Sequence, residues 1–147
     1  GETIPEQHEC GPPLAAGPGQ NVSPPLAWTP GPLGTESYAI VMRDTDAGNL
    51  VHWVVYDIPK SALAMPENVP MEYLLPAPAG AKQAELQGVI HAYLGPCSPN
   101  SVNTYVITVH AMPTATVEGA TQTTPETELA QTIEQTSIGR ASLSGES

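Results

Sequence analysis

The chain has 147 residues, a length that fits one domain with a sizeable core. Four Lys and Arg against fifteen Asp and Glu give a formal charge of −11, a field that repels phosphate backbones and anionic membrane surfaces and sets nucleic-acid binding aside. No apolar run approaches the roughly 18 residues a membrane span needs, and 17 Pro with 13 Gly are inconsistent with a helical bundle.

The chain opens at Gly1 with no Met and no charged-then-apolar leader. That start predicts either a removed targeting segment or a beginning inside a longer chain. Residues 1–36 are dense in Gly11-Pro12-Pro13, Gly17-Pro18-Gly19, Pro24-Pro25 and Pro30-Gly31-Pro32, which forbid a long helix. Ile4, Val22, Leu26 and Trp28 recur within this stretch, so it is predicted to wrap the domain, pinned by those side chains. Phe is absent, and the core must rest on aliphatic residues, five Tyr and two Trp.

Ser37–Arg43 and Val51–Ile58 are β-branched and aromatic runs bounded by turn residues, and they read as strands. Their continuous apolar character predicts central strands covered on both faces. Pro59–Lys82 reads as a long irregular connection with five prolines. Gln87–Tyr93 is a weaker strand. Tyr105–Met112 alternates, with Tyr105, Ile107, Val109 and Ala111 on one face and Val106, Thr108 and His110 on the other. Thr124 is predicted to cap a helix with Pro125 at its first position, Glu126 and Glu128 at its positive end, and Leu129 and Ile133 facing the sheet. Ile138–Leu143 is a short final strand. No repeat or domain boundary is visible.

Chemistry concentrates at two places. Arg43-Asp44-Thr45-Asp46-Ala47-Gly48 closes one strand, and two carboxylates followed by Gly most often form a solvated turn. His52 opens the next strand. A hairpin through Thr45–Leu50 brings Asp44 and His52 together, and such a pair is expected to raise the imidazole pKa and keep a cation for an anionic ligand. The second place is His91-Ala92-Tyr93-Leu94-Gly95-Pro96-Cys97-Ser98-Pro99-Asn100, a loop stiffened by two prolines with a small residue where a ligand has room to approach. The chain carries no Gly-x-Ser-x-Gly elbow, His-Glu-x-x-His, phosphate loop or dinucleotide fingerprint. Cys10 and Cys97 match neither a zinc spacing nor a Cys-x-x-Cys pair, and both two buried thiols and one long-range disulfide fit.

These residues, in order, resemble the phosphatidylethanolamine-binding protein family and its bacterial branch, often labelled Raf-kinase-inhibitor-like. The matching pieces are Ile4-Pro5, His8-Glu9-Cys10, Asn21-Val22-Ser23-Pro24-Pro25-Leu26-Ala27-Trp28, Gly34-Thr35-Glu36-Ser37-Tyr38-Ala39, Val41-Met42-Arg43-Asp44-Thr45-Asp46-Ala47, Val51-His52-Trp53-Val54-Val55-Tyr56-Asp57-Ile58-Pro59 and Tyr93-Leu94-Gly95-Pro96-Cys97. They cover residues 4–112 well and the remainder thinly. The resemblance implies a mainly β fold, a β-sandwich with a large central sheet and few peripheral helices.

It also implies a small surface pocket for an anion such as phosphate, acetate or a phosphoethanolamine-like phospholipid head group, with no cofactor. Carried over residue by residue, that pocket takes Asp44 and His52, then Tyr93 and Gly95 from the loop, then Tyr105. Two departures stand out. The family's Asp-Pro-Asp is Asp44-Thr45-Asp46, and its Gly-x-His-Arg-Tyr is Ser101-Val102-Asn103-Thr104-Tyr105, so Asn103 and Thr104 replace two cations. His91, two residues from Tyr93, is a candidate substitute for the lost His if both side chains share a strand face.

The family's opening strand lies before Gly1 on this alignment, implying a truncated chain. Exported relatives often carry Cys in both cysteine-bearing segments, which implies a Cys10–Cys97 disulfide and a periplasmic or extracellular location. The expected function is non-catalytic binding of a small anion or head group. A protein–protein regulator of kinase- or protease-inhibitor type acting through Pro59–Lys82 is the alternative. A metal-dependent hydrolase using Asp44, Asp46, His52 and His91 is a remote one.

Overall fold

A computed structural model describes residues 2–97 and 100–147. Its elements in chain order are β1 (Glu2–Thr3), a 3-10 turn at Glu6–His8, β2 (Leu26–Ala27), β3 (Ser37–Asp44), β4 (Leu50–Pro59), β5 (Ala64–Met65), β6 (Lys82–Gln83), β7 (Glu85–Leu86), β8 (Ile90–His91), β9 (Thr104–Met112), α1 (Glu126–Thr136) and β10 (Gly139–Glu146). A mixed six-stranded sheet runs β1-β10-β9-β3-β4-β6; β1 lies parallel to β10 and the other pairs are antiparallel. The pairs β2–β5 and β7–β8 form two small sheets beside it.

The two apolar runs form the middle of the large sheet because each has a hydrophobic layer to meet on both faces. On one face Tyr38, Ile40, Met42, Trp53, Val55, Tyr105 and Ile107 pack under the N-terminal arm and the 60–81 connection, with Leu26, Ile4 and Trp28 supplied by the arm. On the other, Ala39, Val41, Val54 and Tyr56 meet Leu129, Ala130 and Ile133 of α1. Burying one such large side chain is worth roughly 1.5–3 kcal/mol. The alternation expected for Tyr105–Met112 holds, with Tyr105, Ile107, Val109 and Ala111 toward the arm.

Two bulges interrupt the β3–β4 ladder. Tyr38 pairs with Ile58 and Ile40 with Val55, so Ala39 faces two residues, and the extra one, Asp57, adopts φ +56°. At the other end Met42 pairs with Trp53 and Arg43 with Val51, leaving His52 as the extra residue. An inserted residue breaks the inside–outside alternation and re-aims its side chain. Val51 faces the helix layer and Trp53 the arm layer, and His52 turns to the arm face beside Tyr105.

Four local expectations are revised. Gln87–Tyr93 is not a strand: Gln87 and Gly88 take positive φ (53° and 69°), closing a tight turn that leaves only Ile90–His91 paired with Glu85–Leu86. Thr124 does not cap α1; its hydroxyl accepts from Thr121 N at 2.8 Å, and Pro125 occupies the N-cap position. The final strand is longer than expected, Gly139–Glu146. Pro59–Lys82 is less irregular than its prolines suggest, since it includes β5 and buries Met65, Leu75 and Ala81.

Candidate ligand-binding site

The β3–β4 hairpin turns through Gly48 and Asn49, both at positive φ (65° and 59°), and sets Asp44 opposite Leu50. On its other side Asp44 is the cross-strand partner of Tyr105. The bulge delivers His52 to the same end, where its ring meets the Tyr105 ring edge-on at 5.2 Å. Asp44, His52, Tyr93 and Tyr105 are all buried.

The Asp44 carboxylate accepts from Asp46 N at 3.0 Å through Oδ1 and from Asn103 Nδ2 at 2.8 Å through Oδ2. Asn103 in turn accepts from Ser101 Oγ at 2.8 Å. Thr45 and Thr104 stitch the turn: Thr45 N and Oγ1 both donate to Thr104 O, and Thr104 N donates to Asp46 Oδ2 at 2.7 Å. Thr45 therefore uses the N–H and hydroxyl that a proline at this place would lack.

His52 Nδ1 donates to Leu94 O at 2.9 Å. Burial lowers its pKa below 6.5, outweighing the Leu94 hydrogen bond and the Asp44 charge, which raise it. The expected imidazolium is thereby replaced by a neutral ring near pH 7, a correction set by desolvation. No Lys or Arg compensates. Arg43 is bound through Nε and Nη2 to Glu134 at 2.9 and 2.7 Å, Lys60 meets Glu36 at 3.3 Å, Lys82 meets Asp57 at 2.8 Å, and Arg140 donates to Glu134 O at 3.1 Å. The chain has only these four.

The loop residues serve the arm. Tyr93 donates its hydroxyl to His8 O at 2.7 Å, stands edge-on to Trp53 at 5.3 Å, and has its phenol pKa pushed up by burial. Gly95 is where the arm, not a ligand, comes close: a Cβ there would overlap backbone atoms of His8, Glu9 and Cys10. Cys10 and Cys97 form a disulfide with Cα atoms 5.4 Å apart. Positions 98 and 99 of the loop lie outside the described residues.

His91 does not join the group. Its Nδ1 donates to Gln83 O at 2.7 Å, its Nε2 lies 3.5 Å from Glu85 Oε2, and its ring packs on Tyr73. The tight turn at Gln87–Gly88 folds it back onto β6 and β7. Of the four groups proposed for a metal, His91 is therefore held away from Asp44, Asp46 and His52, and among the described residues no three His, Cys, Asp or Glu are placed to hold an ion. No helix among them is long and apolar enough to cross a membrane.

An apolar cavity of about 180 Å³ runs beside the site, walled by Ile4, Pro5, Met42, Tyr93, Tyr105 and Ile107. Asp44 and His52 do not line it. The residue that sequence reasoning missed is Asn21, which holds the loop from the arm: Nδ2 donates to Tyr93 O at 2.6 Å and Oδ1 accepts from Gly95 N at 2.7 Å. The available signal was an Asn amid Gly and Pro, a residue tolerant of the left-handed region.

A mainly β protein with a large mixed sheet, one long helix among the described residues, and an Asp–His–Tyr cluster at the strand ends is the class defined here. Residues 1–147 match the family profile "Phosphatidylethanolamine-binding protein", and the chain belongs to that family. It is 34% identical over 113 residues to a UPF0098 protein of Methanothermobacter thermautotrophicus, covering 76% of this chain and 69% of that one. To the UPF0098 protein YbhB of Escherichia coli it is 33% identical over 98 residues, covering 64% of this chain and 61% of YbhB. The crystal structure of E. coli YbcL, described as a new member of the mammalian PEBP family, superposes with a TM-score of 0.81 at 22% identity, over 99% of this chain and 90% of YbcL.

Proposed function

We propose that the chain is a non-catalytic binding protein whose Asp44–His52–Tyr105–Asn103 cluster recognises a small zwitterionic head group of phosphoethanolamine type in preference to inorganic phosphate. One observation carries this reading: a buried carboxylate, Asp44, occupies the site while all four basic side chains are tied up elsewhere. A dianion meets no cation in such a site, whereas an ammonium group brings its own positive charge to Asp44. Asp44 and His52 are held by Asp46 N, Asn103 and Leu94, an arrangement suited to recognition. The disulfide supports an exported location.

Calorimetric titration of phosphoethanolamine, phosphate and acetate into the wild type, Asp44→Asn and His52→Ala tests the reading. Phosphoethanolamine binding more tightly than phosphate, with the preference lost in Asp44→Asn, is the expected result. Phosphate binding tighter in the wild type overturns it. The regulator reading draws on Met71 and Leu74, which are 50% and 60% exposed on the 60–81 connection, and it gains if none of the three ligands binds.

A further inference from the structure

Asn21 sits at φ +55° in the N-terminal arm, its own N–H donated to Glu9 O at 2.8 Å. Its side chain reaches the two peptide groups on either side of the Leu94 Cα. Nδ2 binds the carbonyl of the 93–94 peptide, and Oδ1 binds the N–H of the 94–95 peptide. The opposite ends of these same two planar groups are the ones that touch His52. Leu94 N donates to His52 O at 3.1 Å, and Leu94 O accepts from His52 Nδ1 at 2.9 Å. In a trans peptide the N–H and C=O point to opposite sides. Asn21 and His52 thus grip one pair of peptide planes from either side.

A carbonyl only accepts, so Leu94 O places the proton of a neutral His52 on Nδ1 and leaves Nε2 as the acceptor. Rotating the 94–95 peptide removes that constraint. Among the described residues the other anchors of the loop do not hold this plane: Tyr93 is fixed through its ring hydroxyl, Cys10 N donates to Pro96 O at 2.9 Å, and the disulfide holds Cys97. An amide is the side chain that supplies both a donor and an acceptor here, and Asn tolerates the left-handed backbone.

We propose that Asn21 is the positioning residue of the site, fixing through the Leu94 peptide planes which nitrogen of His52 is presented to a ligand. The assignment rests on His52 belonging to the binding site, as argued above, but its tautomer is measurable without any ligand.

The test records the ¹⁵N resonances of the His52 ring at pH 7.5 in the wild type, Asn21→Gly and Ser23→Ala. Asn21→Gly deletes the amide while keeping the positive φ accessible. Ser23→Ala removes a buried acceptor of Val69 N two residues away and serves as the purely structural comparison. The Nδ1–H tautomer is expected in the wild type and in Ser23→Ala, with averaged tautomers in Asn21→Gly. Phosphoethanolamine affinity is expected to fall about tenfold in Asn21→Gly, the effect of one lost hydrogen bond. An Nε2–H ring in the wild type overturns the proposal whether or not the variants fold. So does an unchanged tautomer in Asn21→Gly, or an equal change in Ser23→Ala. If phosphoethanolamine fails to bind the wild type, the binding reading falls while the tautomer comparison still decides the role of Asn21.

Discussion

Asn103 donates its side-chain amide to Asp44 Oδ2 at 2.8 Å, so a neutral donor satisfies the buried carboxylate at the end of β3. Asn103→Asp replaces that donor with a second carboxylate. We expect a loss of about 2 kcal/mol at pH 7, the scale of a buried charge stripped of its partner. Mutual repulsion raises one folded-state pKa above its unfolded value, so the penalty is present above that pKa and is relieved as pH falls. The gap in Tm between wild type and variant should be widest near pH 7 and should shrink below about pH 5. A gap that stays constant down to pH 4 contradicts this.

His110 lies on the helix face of β9, 1% exposed, with neither ring nitrogen hydrogen-bonded. Burial pushes its pKa down to about 4; Arg140 and Arg43 push the same way, and Glu134 opposes them. A folded pKa below the unfolded 6.5 means that the folded state binds fewer protons between these values. Stability is therefore complete above about pH 6.5 and is lost on acidification, by on the order of 3 kcal/mol at pH 4. His110→Leu should abolish that portion of the acid loss and match or exceed the wild type at neutral pH, since no hydrogen bond is sacrificed. His52, also depressed, keeps a residual slope of the same sign.

The disulfide joins residues 87 apart. In the chain-entropy model, closing a loop that long is worth about 4–5 kcal/mol. Urea unfolding with and without reductant should differ by that order, and the Cys10→Ala/Cys97→Ala double variant should reproduce the reduced curve. Two reactive thiols in the unreduced, denatured protein would count against the bond.

Gly95 and Gly48 make a paired test of glycine. A Cβ at Gly95 overlaps the backbone of the arm, so Gly95→Ala should cost about 3 kcal/mol, the upper range for overpacking. Gly48 has φ +65° with nothing within 4 Å of an added Cβ, so Gly48→Ala should cost only about 1–2 kcal/mol of left-handed strain. Equal losses would mean that the contact at Gly95 relaxes freely.

The central strands were legible because their composition is dictated by two-sided burial, and β9 because its alternation is clean. The bulges were not. Nothing local in Val51-His52-Trp53 says which residue is left unpaired, since that follows from the register of β3. Asp44, His52 and Tyr105 could be placed together from the hairpin and the family resemblance, whereas the charge state of His52 depends on burial by the loop and arm. His91 was misplaced because Gln87-Gly88 was read as part of a strand. Asn21 escaped notice because its partners are more than seventy residues away.

The order β9-β3-β4 has a consequence for synthesis on the ribosome. The β3–β4 hairpin is complete at Pro59, but the strand that covers the other edge of β3 begins at Thr104, leaving residues 60–103, 44 in all, to be made first. At about 5–20 residues per second, the edge of β3 stays unpaired for roughly 2–9 s. Throughout that interval the hairpin shows the face that α1 later covers, because α1 follows β9. An exposed apolar hairpin with a free edge is a template for pairing with another nascent chain. Crowded polysomes should therefore favour intermolecular pairing of this protein through β3.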